Sequence, residues 1–201
     1  MSPETRDAYR VLASPRDAGE LLLLDRDSFD PTYVPTAGYD GDLAEQVSAL
    51  RPGYVVGAEL DWEDGDPRFA AVEVVERTLF EFVEGASPMF EAALDTWSEA
   101  KREGVAVNSR VTRDTDARPN GALYTFAEQS GAADLFAEFR DGERPLDPLL
   151  DRVEADPPHE VFVMRPAQGE FVLVYIVLEK GSLLADTVRD TYDCPRPPES
   201  E

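Results

Sequence analysis

Apolar and polar residues alternate through the first part of the chain, whereas in the second part apolar residues recur every three or four positions. The pattern predicts a β-rich half followed by a more helical one. Tyr9 to Ala13 (YRVLA) and Glu20 to Asp25 (ELLLLD) read as strands around a turn at Pro15–Gly19, followed by an irregular stretch with Tyr33, Val34, Pro35 and Tyr39. Asp42 to Leu50 puts Leu43, Val47 and Leu50 on one helical face and stops at Arg51-Pro52-Gly53. Tyr54 to Trp62 and Phe69 to Val83 flank an Asp64-Gly65 turn, so they read as a long hairpin, with a bulge expected where the alternation slips at Val75 to Arg77.

After a break at Glu84-Gly85-Ala86 the period changes. Ser87 as N-cap, Pro88 at the first helical position and Gly104 as stop predict a helix with Phe90, Ala93, Leu94, Trp97 and Lys101 on one face. Asn108 to Gly121 is polar and turn-rich and reads as a loop. Ala122 to Gln129, Ala132 to Arg140 and Pro148 to Ala155 read as short helices. Val161 to Met164 and Phe171 to Leu178 form a second predicted hairpin, the latter arm apolar enough to be buried on both faces. Ser182 caps a last helix with Leu183, Leu184, Thr187, Val188 and Tyr192 inward, and Cys194 to Glu201 (CPRPPESE) reads as a disordered tail. The expected fold class is therefore α+β. A barrel-like or meander unit occupies residues 1–84 and an α+β unit residues 87–193, with a tail over 194–201, and the two units merge into one domain if their strands share a sheet.

Charge changes this picture more than any motif does. The 201 residues include 42 acidic and 19 basic ones, a formal charge of −23, and only Lys101 and Lys180 among the basic residues are lysines. Self-repulsion at this level opposes folding at ordinary ionic strength, but in molar salt the screening length falls to roughly 3 Å. Dense carboxylates with arginine in place of lysine resemble the composition of salt-in halophilic archaea, and the chain looks like a member of a haloarchaeal family without an assigned activity. The thermal midpoint is accordingly expected to fall steeply between molar and about 0.1 M KCl. Changing several surface carboxylates to Asn or Gln should recover part of the loss, whereas a flat midpoint across that range would overturn this reading of the charge.

Candidate chemistry is sparse. His159 is the only imidazole available as a base, and no G-x-S-x-G elbow accompanies it. Cys194 is the only cysteine, which leaves no disulfide and no Cys/His zinc cluster. Phosphate-loop and dinucleotide fingerprints are missing, so no cofactor is implied. Asp25, Asp27 and Asp30, and again Asp61, Glu63, Asp64 and Asp66, are grouped oxygen donors of the kind a hard cation takes, although the second group departs from the EF-hand order. They support an alternative function as a metal-assisted hydrolase or phosphotransferase.

Arg110, Arg113 and Arg118, with Asn108, Ser109, Thr112 and Thr115, are the best candidates for gripping an anion, since guanidinium forks and small hydroxyls match phosphate or carboxylate oxygens. Leu50-Arg51-Pro52-Gly53-Tyr54-Val55-Val56, following two strands and a short helix, resembles the way small barrels of the OB type enter a strand through a Pro-Gly turn. The resemblance covers roughly the first 85 residues and implies base stacking on exposed aromatics such as Tyr33, Tyr39, Tyr54 or Trp62. The leading expectation is a non-enzymatic binding or adaptor protein whose partner is single-stranded nucleic acid or another protein. No apolar run approaches the roughly 20 residues of a bilayer-spanning helix, and Met1 to Arg10 lacks the marks of a signal peptide. The expected location is the cytoplasm, with no membrane partner.

Overall fold

The computed structural model describes residues 6–128, 131 and 133–200. Among these residues ten strands form two five-stranded sheets. In the first, β1 (Asp7–Ala13) pairs with β2 (Glu20–Asp25) and with β4 (Val55–Glu63), β2 with β3 (Pro31–Pro35), and β4 with β5 (Asp66–Glu76), all antiparallel. The hairpin turns follow from local chemistry. Asp17 Oδ1 accepts from the Gly19 N–H, Asp25 Oδ1 accepts from the Asp27 and Ser28 N–H groups, and Asp64 and Gly65 both take positive φ, as the tight turn read from Asp-Gly requires. Val55 lies opposite Glu76 and Val56 opposite Val74, so Val75 is the extra residue of the expected bulge; Ala70 forms a second one.

The run expected as one long arm, Phe69 to Val83, divides between the sheets. Thr78 turns the chain: its hydroxyl donates to Glu76 Oε1 at 2.6 Å and accepts from the His159 N–H at 3.0 Å. Beyond it β6 (Leu79–Ala86) leaves β5 and pairs in parallel with β9 (Glu160–Pro166). Gly53, with φ +102, lies so close to this crossing that a Cβ there would stand 2.5 Å from the Phe80 nitrogen. The Pro52-Gly53 pair thus serves a close backbone approach, sealed by the Phe80 N–H to Pro52 carbonyl bond of 2.9 Å.

The second sheet has the order β6-β9-β10-β8-β7, with β10 (Phe171–Val177) at its centre and buried along its whole length, as its unbroken apolar run predicts. Val172, Val174 and Ile176 face a core shared with Leu12, Leu22 and Leu24 of the first sheet and with Phe136 and Phe139 of α3 (Leu135–Arg140). Leu173, Tyr175 and Val177 face the opposite way, under α2 (Glu91–Glu103) and α5 (Leu183–Thr191). A third core fills the concave side of the first sheet, where Val47 of α1 (Gly41–Ser48) joins Tyr54, Val56 and Phe69.

Several expectations need correction. The α+β assignment gives way to a mainly β architecture, because residues 107–127 form the hairpin β7 (Val107–Arg113) and β8 (Pro119–Ala127) instead of a polar loop and a helix. Tyr124 and Phe126 face one core and Leu123 the other, so β8 is apolar on both sides and its period is concealed. Gln129 and Ala132, the outer ends of two predicted helices, lie outside the described residues. Pro148 to Ala155 shrinks to α4 (Asp147–Leu150). The barrel-like, OB-like unit is likewise corrected: the first sheet curls until β3 and β5 approach, but no hydrogen bonds join them and the sheet stays open. Helix α2 starts at Glu91, after a cis Ser87–Pro88 peptide, with Phe90 rather than Ser87 at the N-cap position; Gly104 ends it in left-handed conformation, as expected. On α5 the Ser182 cap is present, but Leu183 and Thr187 face outward.

Residues 194–200 carry neither helix nor strand, in keeping with their composition, yet they are tied down. Arg196 donates to Glu160 at 3.0 and 2.8 Å and to Asp186 at 2.7 Å, and the Pro198 carbonyl accepts from Arg51 at 3.1 Å.

Candidate functional site

The three arginines of the polar segment do not converge. On β7, Asn108, Arg110 and Thr112 turn toward the rest of the protein, where Arg110 meets Glu99 at 2.8 Å and Asp95 at 3.7 Å on α2. Asn108 Nδ2 donates to the Thr96 carbonyl at 3.0 Å, and the Thr112 hydroxyl lies 2.8 Å from both Asn120 Oδ1 and the Tyr175 hydroxyl. Arg113 points the other way and donates to the Ala117 carbonyl at 3.0 Å, and Arg118 sits exposed at the turn. These side chains build the hairpin and anchor it on α2 rather than forming one anion site.

The carboxylate groups do not gather their oxygens around one point either. Asp25 is engaged by the backbone N–H groups of Ser28 and Asp27, which hold its pKa below the ordinary carboxylate value. Among the described residues no three of His, Cys, Asp and Glu are grouped to hold a metal. His159 is buried with Nδ1 2.7 Å from the Leu178 carbonyl, and burial pushes the Cys194 thiol up, away from the thiolate form.

The four aromatic candidates fall into two pairs. Tyr54 is fully buried, and Tyr39 packs against Phe69 while its hydroxyl donates to the Pro35 carbonyl at 2.7 Å. Tyr33 and Trp62 instead share an open cleft of about 680 Å³ between β3 and the tip of the β4–β5 hairpin. Trp62 is 62% exposed. It has the parity of Val56, Ala58 and Leu60, which face the first sheet's core, but the hairpin carries it past the end of that core, where nothing covers it. Across the cleft the Arg16 guanidinium lies 4.2 Å from the Tyr33 ring centroid and 3.2 Å from Glu20, and Arg68 sits 4.8 Å from the Tyr39 ring and donates to the Gly38 carbonyl at 2.8 Å. Thr32 adds a hydroxyl, and Glu63, Asp64 and Asp66 form an acidic rim. The cleft offers the Trp62 indole and two planar guanidinium groups laid over the Tyr33 and Tyr39 rings, a set suited to stacking flat ligands.

Two buried ionic clusters join parts of the chain that the sequence does not connect. Arg10, 2% exposed, donates to Asp147 Oδ1 at 2.9 and 3.2 Å, to the Gly53 carbonyl at 2.7 Å and to Glu76 at 3.3 Å, while Arg26 Nε lies 3.2 Å from the same Asp147 oxygen but out of line for a hydrogen bond. Glu160, with no exposed surface, accepts from Arg189 at 2.6 Å, from the Gly181 N–H at 2.8 Å and from Arg196. The only sequence signal for either is an isolated charge inside an apolar strand run, Arg10 in YRVLA and Glu160 before VFVM.

The fold and cleft define a mainly β protein of two open sheets that presents an aromatic-arginine surface at one sheet end. Residues 1–197 match the model of DUF6663, a family of unknown function, and the chain belongs to that family. No curated protein and no solved structure matches it. Among the described residues no helix is long and apolar enough to cross a membrane.

Proposed function

We propose that this chain is a non-enzymatic binding protein of a halophilic archaeon, working in the cytoplasm, and that it holds single-stranded nucleic acid in the Trp62–Tyr33 cleft. The observation that carries the reading is the exposed Trp62 indole, which lines one open cleft together with Tyr33 and Arg16. Bases present a π-face whatever their identity, so indole, phenol and guanidinium planes would take successive bases without reading their edges. The acidic rim opposes phosphates in dilute buffer, but molar salt reduces its reach to roughly 3 Å and leaves stacking as the main attraction.

Counterion release then contributes little, and affinity should change by less than about tenfold from about 1 M to about 3 M KCl, unlike the steep loss of a basic-groove binder. Fluorescence anisotropy of a labelled oligonucleotide across that series measures this. Absence of binding throughout would reject nucleic acid as the ligand, and a steep decline with salt would reject stacking as its basis.

A further inference from the structure

An anion-accepting arrangement lies at the other end of β4, roughly 25 Å along the strand from Trp62. Glu199 reaches into it. Its Oε1 accepts from Lys180 Nζ at 2.6 Å and from the Tyr54 hydroxyl, while Arg77 Nη1 donates to that hydroxyl at 3.3 Å and so polarises it toward the carboxylate. Lys180, one of two lysines in the chain, also donates to the Arg77 carbonyl at 2.6 Å, and both cations lie over the Tyr54 ring, at 5.7 and 5.6 Å. Tyr54 is fully buried, so its hydroxyl is held in place. Arg51 grips the tail at the Pro198 carbonyl. Arg51, Arg77 and Glu199 border an open cleft of about 700 Å³, of which Pro198, Glu199 and Ser200 form one wall, and Tyr54 and Lys180 meet it through the Glu199 carboxylate.

Charge is not balanced around Glu199 itself. Arg77 has no ion-pair partner at contact distance among the described residues, while Arg51 donates to the Ser48, Leu50 and Pro198 carbonyls and Arg6 is shared between Glu59 at 3.0 Å and Glu73, on the cleft wall, at 3.2 Å. Two cations, Lys180 and Arg77, therefore bear on one tail carboxylate, with Glu45 and Glu73 further along the wall. In a chain of charge −23 two cations on one carboxylate need a reason, and a dianionic phosphate matches them better than a single carboxylate does.

We infer that Tyr54, Arg77 and Lys180 form a binding site for a phosphate group, in which Glu199 is an internal ligand that an incoming phosphate displaces. The tail carboxylate competes at the high effective concentration of a tethered group, so the intact chain binds phosphate weakly until Glu199 leaves. This inference is independent of the Trp62 cleft, and either can fail alone.

The test is calorimetric titration of inorganic phosphate into the full chain in molar KCl. Glu199→Ala should bind at least about tenfold more tightly than the unaltered chain. Adding Tyr54→Phe or Lys180→Met to Glu199→Ala should abolish the gain, with thermal midpoints confirming that each variant is folded; two different double variants guard against one of them unfolding. Unchanged phosphate affinity in Glu199→Ala, or a gain that persists in a folded double variant, would overturn the inference.

Discussion

An Asp147→Ala variant is expected to lose about 3–5 kcal/mol of stability, because it leaves the Arg10 guanidinium charged, buried and without its main partner. For a chain of this size that lowers the thermal midpoint by roughly 10 °C. The effect is large because Arg10 stands in β1 and Asp147 at the start of α4, so the pair fastens the first sheet to the segment that covers the shared core. Removing both charges with Arg10→Met and Asp147→Leu should recover part of the loss, since an apolar pair of similar volume needs no compensation for desolvation. Thermal denaturation of the single and double variants in molar KCl reads both effects. A loss below about 1 kcal/mol would show that Arg10 rehydrates through the 240 Å³ cavity it lines with Arg26, Glu76 and His159.

Glu160→Gln is expected to cost a similar amount and to change the response to acid. Burial alone would raise the Glu160 pKa, but hydrogen bonds from Arg196, the Gly181 N–H and Arg189 outweigh it and hold the group below the ordinary carboxylate value. A carboxylate whose pKa is depressed by folding contributes stability that is complete above its unfolded pKa, about 4.3, and is lost as pH falls through the lower folded value. Glu199 shifts in the same direction, as Lys180 and Tyr54 outweigh its own burial. The midpoint of the unaltered chain should therefore drop as pH is lowered from about 5 to about 3. Glu160→Gln should start lower and fall less over that window. Parallel curves for the two proteins would show that Glu160 is not a source of the acid sensitivity.

Sequence pattern revealed the elements whose two faces differ, or whose ends carry their own chemistry. Helix α5 announces itself through Ser182, whose hydroxyl accepts from the Ala185 N–H, and the β4–β5 turn through Asp64-Gly65. Strand β10 was legible from its unbroken apolar run. Strand β8 was not, because Leu123 and Tyr124 are apolar on opposite faces and satisfy a helical spacing as readily as an alternating one. The passage of the chain from β5 to β6 depends on Gly53 meeting Phe80 and on Thr78 meeting His159, contacts between segments that no local window contains. Sheet closure was equally out of reach, since whether β3 and β5 share hydrogen bonds is decided by the curl of five strands together.

The site was legible in kind but not in place. Tyr33, Tyr39, Tyr54 and Trp62 were equivalent in sequence, and tertiary packing divides them: Tyr54 fills the core beside α1, while Trp62 lies on the same strand face beyond the core's end. The arginines at 110, 113 and 118 looked like a cluster because they are near in sequence. On a strand, Arg110 and Arg113 point to opposite faces, and α2 supplies carboxylates to only one of them. Conversely, Arg77 and Lys180 are far apart in the chain and meet over the Tyr54 ring.

The most direct test of the proposed function compares oligonucleotide binding by the unaltered chain and by Trp62→Ala in molar KCl, with the thermal midpoint as a control for folding. Loss of one stacking plane is worth about 1–3 kcal/mol, so affinity should fall roughly 5- to 150-fold while the midpoint stays within a few degrees, as expected for an exposed side chain. Undiminished affinity in Trp62→Ala would contradict the assignment of the Trp62–Tyr33 cleft as the nucleic-acid site.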